Sequence, residues 1–310
     1  MNNGTASLFR IVGVCAVIGA VIFGAVKIAN KPDNCTSYKG KTVIATTIVP
    51  LTSVVKTMVD DSFIVETVLP SGADPHEVTL SPREIHTLAC AQVVVSLGLG
   101  LDTWVDKGIH AAGNDAVRHI RAETYAALPG EQLSNPHVWL SPRRMLRMYN
   151  GIAGALATFI PTRSTLIEAR AATFRPQLEA LDADYGALGK LSQRDIITLH
   201  DAFTYMAGDY GLTIAGVIEE VPEDTPTPQQ VAHIISILST HPRVALFGET
   251  DVSAAIITVI AQDTGRTLHT LNSLEVGAAD TDIYVRTMRS NLTELLQTLG
   301  GAQGALPNSN

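Results

Sequence analysis

Asp195-Ile196-Ile197-Thr198-Leu199-His200-Asp201 is the stretch that decides the fold. Its apolar, β-branched run reads as a strand buried on both faces, and a histidine then leaves the carboxyl end. Downstream the unit recurs. Leu212–Ile218, Arg243–Phe247 and Arg266–Leu271 read as strands, and residues near 201–211, 227–240, 252–264 and 283–299 as helices. Upstream, Thr42–Ile48, Ile64–Leu69, Val93–Leu97 and Val117–Ile120 repeat the scheme. Strands alternating with helices mark βα units around a parallel sheet, so two such series predict an α/β protein of two lobes, each with a mostly parallel four-stranded sheet. Residues 142–160 and 162–190 between them read helical throughout, with Pro161 as a division and Pro176 as an expected kink. A helical connection is stiff, so small lobe movements are expected. The layout becomes a signal or membrane-anchor segment with spacer over 1–40, an N-terminal lobe over 41–160 and a linking helix over 161–192. A C-terminal lobe follows over 193–300, with a frayed tail over 301–310.

Composition narrows the function. The chain has 310 residues, 46% of them apolar and 17% charged, so a disordered chain and a small disulfide scaffold are both excluded. Residues 1–40 hold four basic residues and one acidic one; the remainder carries 18 basic and 29 acidic residues, a net charge of −11. That body repels phosphate backbones and welcomes cations, so no nucleic-acid partner is expected.

Ile11 to Val26 is an unbroken apolar and glycine run between Arg10 and Lys27, about 24 Å of helix. It reads as an export signal or an anchor. No clean Ala-x-Ala site follows, since Phe23 stands two residues before Ala25 and Lys27 two before Ala29, which favours an uncleaved anchor. Neither Cys15 nor Cys35 is preceded by the small residues of lipoprotein processing. In an oxidising compartment Cys35 and Cys90 either pair or leave Cys90 an inert buried thiol, and the sequence alone does not decide.

Three of the nine histidines stand in telling places. Asp74-Pro75-His76 runs into Leu80-Ser81-Pro82, and Asn135-Pro136-His137 into Leu140-Ser141-Pro142, so each places a histidine on a loop just before a helix capped by serine and opened by proline. Glu84 completes a capping box with Ser81 and holds the first exit rigid. His200 leaves a strand at its carboxyl end, where α/β sheets bind ligands. Glu249 and Asn272 leave other strands similarly. Three neutral imidazoles from separate loops suit zinc, which usually wants a fourth partner. Taken singly, each histidine is more often a capping or surface residue; the repeated context lifts the set. Asp201 reads either as an acceptor orienting His200 or as a first-turn acid. Trp139 reads as core. The acidic, proline-rich Glu219–Pro228 segment reads as a solvated turn or a wall of the cleft.

From Lys41 to Leu299 the sequence resembles the TroA-like or ZnuA-like group, extracytoplasmic solute-binding proteins of ABC importers for zinc and manganese. The carriers are Val68-Leu69-Pro70-Ser71-Gly72-Ala73-Asp74-Pro75-His76-Glu77, Asn135-Pro136-His137-Val138-Trp139, His200-Asp201-Ala202-Phe203-Thr204-Tyr205 and Leu246-Phe247-Gly248-Glu249. The resemblance implies two α/β lobes joined by a long helix, with metal held by His76, His137 and His200. It implies Zn²⁺ as the transported ligand with Mn²⁺ as the alternative, a permease with its cytoplasmic ATPase as partner, and a monomer at the outer face of the membrane or in the periplasm. The family's fourth ligand is an aspartate after the last strand. Asn272 stands at that position, so the fourth place falls to Asn272, water, or a shifted acid such as Glu249 or Glu275. The histidine-rich insertion of many zinc-specific members is also missing, since residues 122–134 contain no histidine. Competing readings are an envelope adhesin with a structural metal and a zinc hydrolase. The latter lacks a His-Glu-x-x-His helix, and no enzymatic activity is expected.

Overall fold

A computed structural model of the protein describes residues 35–70, 72–76, 78–219, 226–250 and 255–300. The expected N-terminal anchor, the tail and residues 220–225 of the acidic segment lie outside the described residues. Among those described, no helix is long and apolar enough to cross a membrane.

The first sheet is built from β1 (Thr42–Thr46), β2 (Phe63–Thr67), β3 (Val93–Ser96) and β4 (Arg118–Arg121), in the order β2-β1-β3-β4. The second, from β5 (Asp195–His200), β6 (Thr213–Glu219), β7 (Ala245–Glu249) and β8 (Leu268–Leu271), has the matching order β6-β5-β7-β8. All pairings are parallel, as the apolar runs predict. In each sheet the first strand is central. The chain moves to one side of it and then to the other, which opens a crevice at the carboxyl ends of β1 and β3, and of β5 and β7.

Successive strand residues feed different cores, because side chains alternate between faces. Val43, Ala45 and Val94 pack on the outer face of the first sheet with Leu88 and Trp104; Ile44 and Val93 point inward. Ile197, Leu199 and Leu246 join Ile234 and Ile257 on the outer face of the second sheet; Ile196 and Phe247 point inward. The two inward faces belong to one continuous core. Its middle is supplied by α1 (Val49–Thr57), α5 (Pro142–Phe159), α6 (Ser164–Tyr185) and α10 (Ile283–Gly300). The long helix α6 joins the lobes, and Pro176 sits inside it without ending it, because Phe174, Leu178, Leu181 and Tyr185 are buried on either side of the proline. α10 and the loop before it reach back to the first lobe, Tyr284 N donating to Ser53 Oγ at 3.3 Å and Lys56 Nζ to Ala279 O at 2.6 Å, while Tyr185 Oη of α6 donates to Met288 O at 2.7 Å.

Local signals hold at the helix starts. Ser81 and Glu84 form the capping box of α2 (Pro82–Cys90), and Ser141 caps α5 by accepting from Arg144 N. Strand ends shift by a few residues. The strand expected at Arg243–Phe247 runs over Ala245–Glu249, so Glu249 is its last residue rather than part of the turn beyond it.

Cys35 and Cys90 form a disulfide, with Cα atoms 5.6 Å apart, which settles the alternative the sequence leaves open. The bridge closes a sequence separation of 55 residues. In the chain-entropy account such a loop contributes about 4 kcal/mol. Replacing both cysteines by alanine is expected to lower the unfolding midpoint by about 10 °C, read by thermal melts of the two proteins side by side; an unchanged midpoint would contradict that account.

Candidate metal centre

His76, His137 and His200 come from three different parts of the chain and meet in one place. The β2–α2 loop delivers His76, whose backbone N–H donates to Asp74 Oδ1 at 2.7 Å, a local turn that sets the ring's direction. Trp104 Nε1 donates to Pro75 O at 3.3 Å and anchors that loop.

His137 precedes a short 3-10 turn, Val138–Leu140, that leads into α5. Asn135 Oδ1 lies 2.8 Å from both the backbone N and the ring Nδ1 of His137. That acceptor places the ring proton on Nδ1 and frees Nε2 for a metal. Asn135 is itself held by Asp201, its Nδ2 donating to Asp201 O at 2.6 Å and Oδ2 at 3.0 Å. Asp201, read from the sequence either as an acceptor orienting His200 or as a first-turn acid, also accepts from Thr204 Oγ1 at the start of the next helix and orients the His137 side. Successive residues at a strand end point in opposite directions, so adjacency to His200 did not bring contact with it.

His200 is the last residue of β5, buried to 1% exposure, and its Nδ1 is hydrogen-bonded to Glu249 Oε1 at the end of the neighbouring β7. Glu249 thus orients an imidazole, an arrangement that leaves Nε2 of His200 toward the centre. That Nε2 lies 3.3 Å from Nε2 of His137.

The fourth group is Glu275. Its Oε1 lies 2.8 Å from His137 Nε2, 3.6 Å from His76 Nε2 and 3.7 Å from His200 Nε2. Asn272 is engaged in the turn that precedes Glu275. Its Oδ1 accepts from Leu274 N at 2.7 Å, its backbone N–H donates to Asn291 Oδ1 at 2.9 Å, and its carbonyl accepts from Asn291 Nδ2 at 2.8 Å. The amide builds a turn in which Leu274 takes the left-handed conformation, φ 59°, and the turn carries Glu275 to the histidines. The signal in the sequence is Asn272 itself, a residue suited to turns as much as to ligation.

The donors form two groups, His76-His137-Glu275 and His200-Glu249-Glu275, that share Glu275. Zn–N bonds of about 2.0–2.1 Å give a tetrahedron edge of about 3.3–3.4 Å, and the donor separations above scatter around it. His76 Nε2 is buried without a hydrogen-bond partner, and a cation at the centre would satisfy it.

Charges agree with that reading. Burial pushes the His137 imidazole down, against the pull of Glu275. His200 is also pushed down by burial, but the Glu249 and Glu275 carboxylates outweigh it and hold its imidazolium up to about 10. Burial would raise Glu275, yet the three imidazoles keep its carboxyl well below the usual range. A proton on His200 thus occupies the charge a metal would supply.

The loops are braced across the lobes. Trp139, fully buried, stands 5.1 Å centroid to centroid from the His137 ring, and its Nε1 donates to Ser273 O at 2.8 Å. Arg144, 3% exposed, pairs with Glu131 at 2.6 Å and with Asp209 at 2.7 Å, while Ser141 Oγ donates to Asp209 Oδ2 at 2.6 Å.

With that geometry in place, residues 44–298 match the profile of ZnuA, described as zinc-uptake complex component A, periplasmic. The chain belongs to the ZnuA family. Among curated relatives, the zinc-binding lipoprotein AdcA of Streptococcus pneumoniae serotype 4 is 28% identical over 288 residues, covering 85% of this chain and 58% of AdcA. The chain thus spans less than two thirds of that relative. The solved Zn(II)-bound ZnuA-like domain of S. pneumoniae AdcA superposes with a TM-score of 0.71 at 28% identity, covering 84% of this chain and 99% of that one. FpvC of Pseudomonas aeruginosa in complex with Mn²⁺, described as an SBP, gives a TM-score of 0.75 at 25% identity, covering 84% and 98%.

Proposed function

We propose that this ZnuA-family chain is the extracytoplasmic solute-binding component of an ABC importer, capturing Zn²⁺ between its lobes and handing it to a permease driven by a cytoplasmic ATPase. His76 and His137 of the first lobe and His200 and Glu275 of the second would ligate the ion. The lobes at 41–160 and 193–300 bring these ligands together across the 161–192 connection. The observation that carries the reading is the convergence of three imidazole Nε2 atoms on one carboxylate oxygen, 2.8–3.7 Å away.

Zinc is favoured over manganese by the chemistry of the donors. Three nitrogens and one oxygen at tetrahedral spacing suit a d¹⁰ cation, whereas Mn²⁺ prefers more oxygens and higher coordination. The Zn-binding AdcA relative supports zinc, and the Mn²⁺ complex of FpvC keeps manganese as the alternative outcome of the test. The S. pneumoniae relative's description as a lipoprotein supports a position at the outer face of the membrane.

Elemental analysis of the purified protein is expected to find close to one zinc per chain, and competitive titration into stripped protein to favour zinc over manganese. No stoichiometric metal in folded protein would sink the proposal. Glu249 gives a second check. Glu249→Gln removes the charge behind His200 and is expected to weaken zinc binding by about 10–100-fold, measured against a chromophoric chelator; unchanged affinity would show that His200 needs no carboxylate to orient it.

A further inference from the structure

Glu275 presents its two oxygens to different partners. Oε1 faces the three imidazoles, whereas Oε2 accepts a hydrogen bond from Ser273 Oγ at 3.2 Å. Both residues are buried, Ser273 to 4% and Glu275 to 7% exposure. The backbone that carries Ser273 is fastened on both sides. Its carbonyl accepts from Trp139 Nε1 at 2.8 Å, and the turn around it is fastened by Asn272 Oδ1 on Leu274 N at 2.7 Å and by the Asn291 side chain on both backbone groups of Asn272.

A carboxylate can give a metal one oxygen or two. With one, Glu275 completes a four-coordinate site of three nitrogens and an oxygen. With two it adds a fifth donor, and a hard one, which moves the site toward what manganese prefers. The hydroxyl of Ser273 competes for that second oxygen.

We propose that Ser273 determines metal specificity: by holding Glu275 Oε2 it keeps the carboxylate monodentate and so keeps the site tetrahedral and selective for zinc against manganese. The inference rests on the zinc-binding reading of the site. Ser273 touches no metal in this scheme and acts through the geometry of Glu275.

The test uses the whole chain, stripped of metal, as wild type, Ser273→Ala and Ser273→Thr. Zn²⁺ and Mn²⁺ are titrated in competition, and Co²⁺ is added separately as a spectroscopic probe, since four-coordinate cobalt absorbs visible light more strongly than five- or six-coordinate cobalt. Wild type and Ser273→Thr, which keeps the hydroxyl, are expected to show the strong four-coordinate spectrum. Ser273→Ala is expected to lose part of that intensity and to shift the zinc-to-manganese affinity ratio about tenfold toward manganese. An unchanged ratio and spectrum in Ser273→Ala, with zinc still bound, overturns the proposal alone. A five- or six-coordinate cobalt spectrum in the wild type also overturns it, and needs no variant to fold. Absence of tight zinc binding in the wild type overturns the site reading as well, so the two failures are distinguishable.

Discussion

Glu275→Ala is expected to weaken zinc binding by about two to three orders of magnitude while leaving the fold intact. Structural zinc sites with four ligands bind with about 10–16 kcal/mol, so one ligand is worth about 2.5–4 kcal/mol, and each 1.4 kcal/mol is a factor of ten. Glu275 also repels no partner it leaves behind: the three imidazoles lose their shared acceptor, and His200 keeps Glu249. Asn272 supplies the contrast. Because its Oδ1 is engaged with Leu274 N, Asn272→Asp is expected to keep affinity within about tenfold, an acid there retaining the same acceptor oxygen. Isothermal titration of both variants separates the two positions. A gain of well over tenfold in Asn272→Asp, with full affinity kept in Glu275→Ala, would return the ligand role to the position the family resemblance points to.

The second large effect is on pH. His200 in the metal-free protein holds its proton up to about 10, because the carboxylates of Glu249 and Glu275 outweigh its burial. Zinc requires the neutral ring, so below pH 10 binding must expel that proton, and apparent affinity falls as pH falls. One proton per ion gives a tenfold change per pH unit, hence about a hundredfold weaker binding at pH 6 than at pH 8. Further loss comes when other ligands protonate at still lower pH. Competition titrations at the two pH values measure the slope directly, and calorimetry in buffers of different ionisation enthalpy counts the protons released. A flat profile over those two units would mean that His200 is already neutral in the metal-free site. Weakening its attachment to Glu249 is expected to make the profile shallower, since the ring then gives up its proton more readily.

Much of the fold was legible in the sequence because parallel strands buried on both faces leave unbroken apolar runs. Ile196 to Leu199 and Val93 to Val95 carry no polar residue but Thr198, so their assignment needed only length and flanking helices. The three histidines were legible for a related reason. Ser81 and Ser141 announce helix starts, and the end of β5 announces a ligand-facing position, so local rules placed His76 and His137 on loops before helices and His200 at a strand's carboxyl end. What local rules do not contain is direction across the molecule. Asp201 faces Asn135, from a segment 66 residues away, and the Cys35–Cys90 pairing spans two elements whose approach is set by tertiary packing. Glu275 was one of several acids on offer, and selecting it required the left-handed turn at Leu274, a backbone feature that asparagine permits without dictating.

The return of α10 to the first lobe has a consequence for how the chain comes into being. Tyr284 packs in the middle of the shared core, its N–H on Ser53 and its hydroxyl on Trp139 O, so α10 completes an interior begun by β1 and α1. Contacts separated by more than 200 residues form only once both partners have been synthesised. The shared interior therefore stays unfinished while everything between those partners is being made, and the first lobe lacks part of its own packing until the second has been built.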